Sequence, residues 1–178
     1  SIEKLKKELN TIQTQHNNQI KNRENIFKIA LAGYTNSGKS TLLKKITGYD
    51  AYIKDQLFAT LETVTKKLKL PSNTNVLISD TVGFLRKLPH NLIASFRSTL
   101  SEIIEADLII KVIDINSTDI EGHLNTINET LDYLKIADKN FLLVFNKIDM
   151  VENDQLFNIV NKKYNNPIMI SAINDLNL

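Results

Sequence analysis

Cysteine is absent from the 178-residue sequence, and histidine occurs only three times. The absence of cysteine excludes a disulfide framework, thiol catalysis and cysteine-ligated zinc or iron–sulfur clusters. The histidines, His16, His90 and His123, are far apart in the sequence, which argues against a histidine-based metal site. Arginine is also scarce, since only three of the 22 basic residues are arginine. The chain therefore cannot bind phosphates through many bidentate guanidinium groups.

Long apolar runs are missing as well. A membrane-spanning helix needs roughly 20 apolar residues in succession, and the longest apolar run, from 103 to 115, is interrupted by four charged side chains. The first residues also lack the apolar core of a signal peptide. With 22 Lys+Arg, 20 Asp+Glu and 42% hydrophobic residues, the composition is that of an ordinary globular chain and neither requires nor excludes nucleic-acid binding. We expect one globular domain in the cytoplasm with no membrane contact.

The first 25 residues differ from the rest of the chain. Apolar side chains recur there at intervals of three and four residues, which is typical of one strand of a coiled coil. They are Ile2, Leu5, Leu9, Ile12 and Ile20, with His16 in the same series. A single helix cannot bury such a seam, so one interpretation is a partner helix on another chain or in a part of the protein outside this sequence. The other interpretation is a solvated leader that packs loosely on the domain.

From Ile26 onward, short apolar runs alternate with amphipathic stretches. The pattern predicts strands at 26–33, 63–70, 76–80, 107–114, 141–146 and 166–171, and helices at 37–48, 91–105, 118–136 and 152–164. Turn residues at 71–75 join the second and third strands into a hairpin, and 49–62 and 81–90 are predicted loops. The alternation predicts an α/β fold with a mainly parallel sheet, one antiparallel edge strand and helices on both faces.

The segment Gly33–Ser40, GYTNSGKS, has the form GxxxxGK[ST] and lies between a predicted buried strand and a helix. Gly33 and Gly38 would let the loop wrap so that backbone N–H groups face phosphate oxygens, assisted by the positive end of the helix. Lys39 would neutralise the β- and γ-phosphates, and the Ser40 hydroxyl would ligate Mg²⁺. The alternative, an ordinary glycine-containing turn, is disfavoured by the strand and helix on either side.

A second motif, NKID at Asn146–Asp149, follows another buried strand. The Asp149 carboxylate could accept two hydrogen bonds, from N1–H and the 2-amino group of guanine. Adenine offers neither donor and would leave that carboxylate unpaired. Asn146 would tie this loop to the phosphate loop, and the stem of Lys147 would cover the base. Alone, the tetrapeptide also fits a polar strand-to-helix turn; its position after the other motifs predicts guanine binding.

Two further segments complete the order of motifs. In DTVG, Asp80 would hold Mg²⁺ through a water, and the Gly83 amide would meet the γ-phosphate, since only a residue without a side chain lets the backbone come so close. Ser171 and Ala172, after the last predicted strand, would put backbone amides near the guanine carbonyl oxygen. Two small residues are weak evidence alone, and they count through their position in the order.

The order GYTNSGKS, LFATLE, DTVGF, NKID and SA resembles that of translation-factor-class GTP-binding domains. More narrowly, DQLFATLE (55–62) and DTVGFLRKLPHNLIASFRSTL (80–100) resemble the HflX family of GTPases, in the Obg–HflX superfamily. The resemblance implies a Ras-like P-loop GTPase fold and a regulatory GTPase that binds GTP and GDP with Mg²⁺. It also implies the ribosome, especially its large subunit, as the partner.

The resemblance carries implications for domain organisation too. Residues 1–25 resemble the last helix of the helical hairpin domain that precedes the GTP-binding domain in HflX proteins. Residues 26–178 would be that GTP-binding domain, truncated after the Ser-Ala loop and therefore without the C-terminal helix of a Ras-like fold. The sheet face that this helix would cover should be apolar and either exposed or covered by something else.

Individual roles follow from the same resemblance. Thr60 matches the switch threonine that ligates Mg²⁺ when GTP is bound, with Thr63 and Thr65 as alternatives; residues 58–62 and 80–90 would form the two switches. Ile173 occupies a position where the family often has a basic residue that stacks on the base. The nucleotide-binding candidates are Gly33, Tyr34, Thr35, Asn36, Ser37, Gly38, Lys39, Ser40, Thr41, Phe58, Ala59, Thr60, Leu61, Glu62, Asp80, Thr81, Val82, Gly83, Asn146, Lys147, Ile148, Asp149, Ser171, Ala172 and Ile173, and the metal-binding candidates are Ser40 and Thr60.

The rate of hydrolysis is predicted from one position. In Ras-like enzymes a glutamine directly after DxxG orients the attacking water, whereas here that residue is Phe84, which has no hydrogen-bonding group. We therefore assign no catalytic residue and expect slow hydrolysis by the domain alone, with Arg86 and His90 as alternative polar groups. Activation would come from the ribosome or from K⁺, because Asn36 matches the asparagine that related GTPases use to ligate potassium.

Two other functions fit parts of the sequence. A nucleotide-dependent dimerisation or assembly module could use the seam in residues 1–25, with hydrolysis incidental. A metabolic kinase could use the phosphate loop, but it would need a lid and an acceptor site, and NKID would have no role in it.

Overall fold

The computed structural model describes residues 26–48, 63–83 and 100–178. The strands in these ranges are β1 Phe27–Gly33, β2 Val64–Lys69, β3 Asn75–Asp80, β4 Leu108–Asp114, β5 Phe141–Asn146 and β6 Ile168–Met169. The helices are α1 Lys39–Thr47, α2 Ser101–Glu105, α3 Ile120–Tyr133 and α4 Asp154–Tyr164, with a short 3₁₀ turn at Ile148–Met150. The predicted helical leader and the predicted loop at 49–62 lie outside the described residues, as does most of the predicted helix at 91–105.

The six strands form one sheet in the order β2-β3-β1-β4-β5-β6. Only β2 and β3 pair antiparallel; the other neighbours are parallel, which confirms the predicted hairpin and mainly parallel sheet. The central strand β1 lies between β3 and β4: the chain places β2 and β3 on one side of β1 and then crosses to β4 on the other side. In open α/β sheets, ligands bind beyond the carboxyl ends of the strands at such a switch point, and the phosphate loop follows β1 directly.

Helices cover both faces of the sheet, as the alternating pattern predicts. On one face, Leu42 and Leu43 of α1 pack with Leu31, Val112 and Val144 of three neighbouring strands. On the other face, buried residues of α2, α3 and α4 pack against the opposite side chains of β1, β4 and β5; they include Ala30, Ile103, Ile109, Ile127, Phe145 and Val160. The sheet is therefore packed between two apolar layers, which fix the positions of the loops at its carboxyl edge.

Among the described residues, apolar side chains on the face that α1 covers are exposed at the far ends of the strands. Phe27 is 48% exposed, Leu142 40% and Ile168 44%. Side chains alternate between the two faces along a strand, so the spacing of these residues places them on the same side of the sheet as Leu31 and Val144.

Several element boundaries differ from the predicted ones for conformational reasons. The helix predicted from 37 begins at Lys39, because Gly38 has φ +91° and belongs to the loop. Helix α3 ends at Tyr133 instead of 136, and Lys135 follows it in the left-handed region at φ 58°; α4 ends at Tyr164, as predicted. The last strand is two residues long, Ile168–Met169, instead of six. Within the described ranges, no helix is long and apolar enough to cross a lipid bilayer.

Candidate nucleotide-binding site

The phosphate loop connects β1 to α1 and is wrapped tightly. Gly38 has φ +91°, and a Cβ there would lie 2.2 Å from Asn146 Nδ2, so a side chain is excluded by both conformation and space. Among the described residues, no side chain caps the first turn of α1, and that turn contains no acidic residue. The backbone N–H groups and positive end of the helix dipole are therefore available to an anion.

Lys39 is the charged group at the centre of this loop. Its side chain is buried, and Nζ donates to the carbonyl oxygens of Gly33 and Tyr34, at 3.2 Å each. Burial lowers the pKa of Lys39 from 10.5 to about 8, while the nearby Asp80 carboxylate acts in the opposite direction. An anion in the loop would favour the charged form of this amine, so this buried side chain suits the binding of a negatively charged ligand.

Ser40 and Asp80 form a second pair beside the lysine. Ser40 Oγ donates to Asp80 Oδ2 at 2.5 Å, and Asp80 is buried at the end of β3. A hydroxyl and a carboxylate are hard oxygen ligands, so this pair fits Mg²⁺. No group of three or more His, Asp or Glu side chains in the described part of the chain could hold a metal. Mg²⁺ here would therefore rely on oxygens of a nucleotide and of water, which is the usual arrangement for this ion.

The DTVG segment runs from the end of β3 against the phosphate loop. Thr81 is fully buried and donates from Oγ1 to the Leu31 carbonyl at 2.6 Å, so its side chain ties this segment to β1. Val82 is also buried. A Cβ on Gly83 would lie 2.9 Å from Cα of Thr35, which means that the two backbones are in direct contact. Gly83 therefore lies directly against the phosphate loop, and its approach to a γ-phosphate stays a prediction.

Asn146 joins three loops, including the two that its predicted role connects. Its Nδ2 donates to the Ser37 carbonyl at 3.0 Å, and its Oδ1 accepts from the Ala172 N–H at 3.0 Å. All three residues are buried. The side chain thus fixes the NKID loop and the Ser-Ala loop relative to the phosphate loop.

Asp149 and the Ser-Ala loop meet at the other end of this group. Ser171 Oγ donates to Asp149 Oδ1 at 2.5 Å, which orients the carboxylate while Asp149 stays exposed. Ser171 and Ala172 are buried, whereas Ile173 is 63% exposed. One backbone hydrogen bond, from the Ile148 N–H to the Ile170 carbonyl at 3.2 Å, also joins the two segments. The exposed carboxylate can therefore meet a planar base held against these loops.

Sequence reasoning missed the turn after β4. Lys147 has φ +67°, and it is contacted by two side chains, of Asp114 at the end of β4 and of Asn116 in the turn. Asp114 Oδ2 lies 2.8 Å from Lys147 Nζ, and Asn116 Nδ2 donates to the Lys147 carbonyl at 2.9 Å. The only available signal was an acidic residue at the end of a buried strand, which does not reveal what it contacts.

The remaining candidates divide into two groups. Asn36 is exposed with φ +62°, Thr41 is in the first turn of α1, and Ile148 begins the 3₁₀ turn. Phe58, Ala59, Thr60, Leu61, Glu62 and Phe84 lie outside the described residues. The structure therefore brings together the phosphate, magnesium and base candidates, but the predicted first switch and residues 84–90 of the second lie outside the described residues.

Solved structures of GTP-binding proteins share this fold. One is an Era variant from Aquifex aeolicus bound to GDP and AlF₄⁻, with a TM-score of 0.68 and 23% identity, over 85% of this chain and 53% of that one. Another is a GTP-binding protein from Sulfolobus solfataricus in complex with GDP, with a TM-score of 0.63 and 28% identity, over 96% of this chain and 57% of that one. The first of these supports the Ras-like fold alone.

Sequence comparisons reach the family level. A family model described as "50S ribosome-binding GTPase" matches residues 28–147. The GTPase HflX of Caldanaerobacter subterraneus subsp. tengcongensis is 42% identical over 179 residues, which cover 99% of this chain, and that of Flavobacterium psychrophilum is 46% identical over 82% of it. The chain spans 40% and 35% of the length of these two relatives. The chain therefore belongs to the family of 50S ribosome-binding GTPases, and within it to the HflX GTPases.

Proposed function

We propose that this domain binds GTP and GDP with Mg²⁺ and hydrolyses GTP to GDP and phosphate. The observation that carries the proposal is the pair of bonds through which Asn146 joins the phosphate loop, the NKID loop and the Ser-Ala loop. A phosphate site and a candidate guanine site are thereby fixed in one rigid group. The HflX GTPases that resemble the chain support the same activity.

The residues have separate tasks in this proposal. Lys39 and the N-terminus of α1 bind the phosphates, Ser40 and Asp80 hold Mg²⁺, and Asp149 recognises guanine. Mg²⁺ would neutralise charge that develops on the phosphate oxygens. The Gly33–Ser40 loop binds and orients the phosphates through its backbone, because Gly38 leaves no side chain between Asn146 and the loop.

Guanine selectivity is tested by Asp149→Asn. The variant loses one carboxylate oxygen, so it should bind GDP tens-fold more weakly and shift its preference towards xanthine nucleotides. A hydrogen bond to a charged group is worth about 1.5–3 kcal/mol, which corresponds to such a loss. Titration calorimetry with GDP and XDP measures both affinities. Asp138→Asn, at an exposed carboxylate outside the motifs, is the control. Unchanged GDP affinity in Asp149→Asn would refute guanine recognition by this residue.

Hydrolysis by the domain alone should be slow, because Phe84 occupies the position of the water-orienting glutamine and offers no hydrogen-bonding group. The proposed activator is the large ribosomal subunit, which the description of the matching family model supports. K⁺ bound by Asn36 is the alternative. Turnover measured in Na⁺ and in K⁺, with and without 50S subunits, separates the two sources. Fast hydrolysis in Na⁺ without ribosomes would contradict the reasoning from Phe84.

The wider organisation is also a proposal. Residues 1–25 would form the last helix of a helical hairpin domain, with a partner helix along its apolar seam, and 26–178 would form the GTP-binding domain. A ribosome-associated role implies a cytoplasmic protein. Sedimentation of the chain with 50S subunits, in GDP and in a non-hydrolysable GTP analogue, tests whether nucleotide controls ribosome binding. An equal cosedimented fraction in both nucleotides would contradict a regulatory role.

A further inference from the structure

An aromatic stack connects the phosphate loop to helix α3. The ring of Tyr34, the second residue of the loop, lies 3.9 Å from the ring of His123, centroid to centroid, with 11° between their planes. His123 is in the first turn of α3, on the face directed at the loop. Neither the motif nor the proposed function assigns a task to this histidine.

Tyr34 is a sensitive point of the loop. Its carbonyl accepts from Lys39 Nζ at 3.2 Å and from the Ser37 N–H at 3.2 Å. A shift of Tyr34 would therefore move both the amine that meets the phosphates and a backbone turn of the cradle. The loop also contains Asn36 at φ 62°, a left-handed conformation of a non-glycine residue that surrounding contacts must stabilise.

His123 is itself held in place. Its Nδ1 lies 3.2 Å from Ser117 Oγ, within hydrogen-bonding distance, and Ser117 Oγ accepts from the Asp119 N–H at 3.1 Å. The Ser117 N–H in turn donates to the Asp114 carbonyl at 3.1 Å. Asp114, the last residue of β4 before this turn, also pairs with Lys147 of the NKID loop. One turn thus supports the NKID loop directly and the phosphate loop through a histidine.

We propose that His123 is a positioning residue for nucleotide binding, which holds the phosphate loop in its binding conformation through the ring of Tyr34. This inference rests on the proposed function and deepens it. The stack contributes to the part of the affinity that comes from the β-phosphate, which the loop cradles. The base contacts of the NKID loop do not pass through the His123 ring, because Asp114 and Asn116 hold Lys147 without it.

The test compares GDP with GMP, which lacks the β-phosphate. His123→Ala should weaken GDP binding about three- to tenfold, the range of a lost aromatic pair, and should leave GMP binding nearly unchanged. His123→Phe keeps an aromatic ring and should restore most of the GDP affinity. Asn125→Ala, at an exposed position of the same helix, is the matched control. Titration calorimetry gives the affinities, and thermal unfolding without nucleotide measures stability separately.

A double-variant cycle isolates the stack from general packing. In a Tyr34→Leu background, which has no ring on the loop, His123→Ala should have no further effect on GDP affinity. An unchanged ratio of GDP to GMP affinity in His123→Ala would overturn the role, even if the thermal midpoint fell. Additive effects in the cycle, or His123→Phe as weak as His123→Ala, would overturn it too. Failure of the wild-type chain to bind any guanine nucleotide would instead refute the proposed function, and this inference with it.

Discussion

Truncation of Asn146 should be the most damaging single change at the junction of the three loops. Asn146→Ala removes the bonds to the Ser37 carbonyl and the Ala172 N–H, both 3.0 Å long and both buried. Each partner then stays in the interior without its hydrogen bond, at a cost of about 1–3 kcal/mol. We expect the free energy of unfolding to fall by about 2–4 kcal/mol, because some relaxation or a water will recover part of the loss.

The assay is denaturant or thermal unfolding of the nucleotide-free domain. For a domain of this size the expected loss corresponds to a thermal midpoint lower by about 5–15 °C. GDP affinity should fall as well, because the phosphate loop and the NKID loop lose their common anchor. Asn146→Asp should not rescue either property: it keeps an acceptor for Ala172 but sets a carboxylate oxygen against the Ser37 carbonyl.

The control for this prediction is Asn116→Ala. Asn116 also donates across loops, to the Lys147 carbonyl at 2.9 Å, but it is exposed, so water can replace the lost bond. Its cost should be about 0.5 kcal/mol or less. If Asn146→Ala is as mild as Asn116→Ala and binds GDP like the wild type, the reasoning that Asn146 anchors the site is wrong.

Three more predictions concern the phosphate loop and the first switch. Burial lowers the pKa of Lys39 to about 8 in the free domain, and phosphates favour the charged form of its amine. GDP affinity should therefore be constant below pH 8 and fall above it. Calorimetry in buffers of different ionisation enthalpy should detect proton uptake on binding near pH 8–9. Gly38→Ala should abolish GDP binding, since the new Cβ would lie 2.2 Å from Asn146 Nδ2, whereas Gly48→Ala, with no neighbour within 4 Å, should lower stability only; equal GDP affinity in the two variants would contradict this. Thr60→Ala should keep GDP affinity but lose protection of residues 55–62 by a GTP analogue in hydrogen exchange, and equal protection would show that another threonine serves.

Much of the fold could be predicted, because the signals for it are local. Buried strands appear in the sequence as short apolar runs, and the hairpin between β2 and β3 follows from turn residues at 71–75. The ends of helices were predicted unevenly. Helix α4 ends at Tyr164, as predicted, whereas α3 ends at Tyr133 instead of 136. Lys135, beyond its end, adopts a left-handed conformation that costs about 1–2 kcal/mol and that tertiary packing stabilises.

The candidate site divides in the same way. Lys39, Asp80 and Asn146 could be predicted because each belongs to a motif whose spacing carries a mechanism. The stack of Tyr34 on His123 could not be predicted, because 89 positions separate the two residues and the sequence around neither residue indicates a contact with the other. Such contacts depend on how helix α3 lies against the sheet, which sequence periodicity does not specify.

The long sequence separation within the site has a consequence for folding. Ser37 and Asn146, which share a hydrogen bond, are 109 residues apart, and β1, β4 and β5 must be in register before that bond can form. Closing so large a loop is entropically unfavourable until the sheet between its ends exists. A partly folded chain that contains only β1 to β3 would have a phosphate loop but no base loop. Guanine nucleotide should therefore bind only the completed domain, stabilise it by mass action and serve as a reporter that the last strands have joined the sheet.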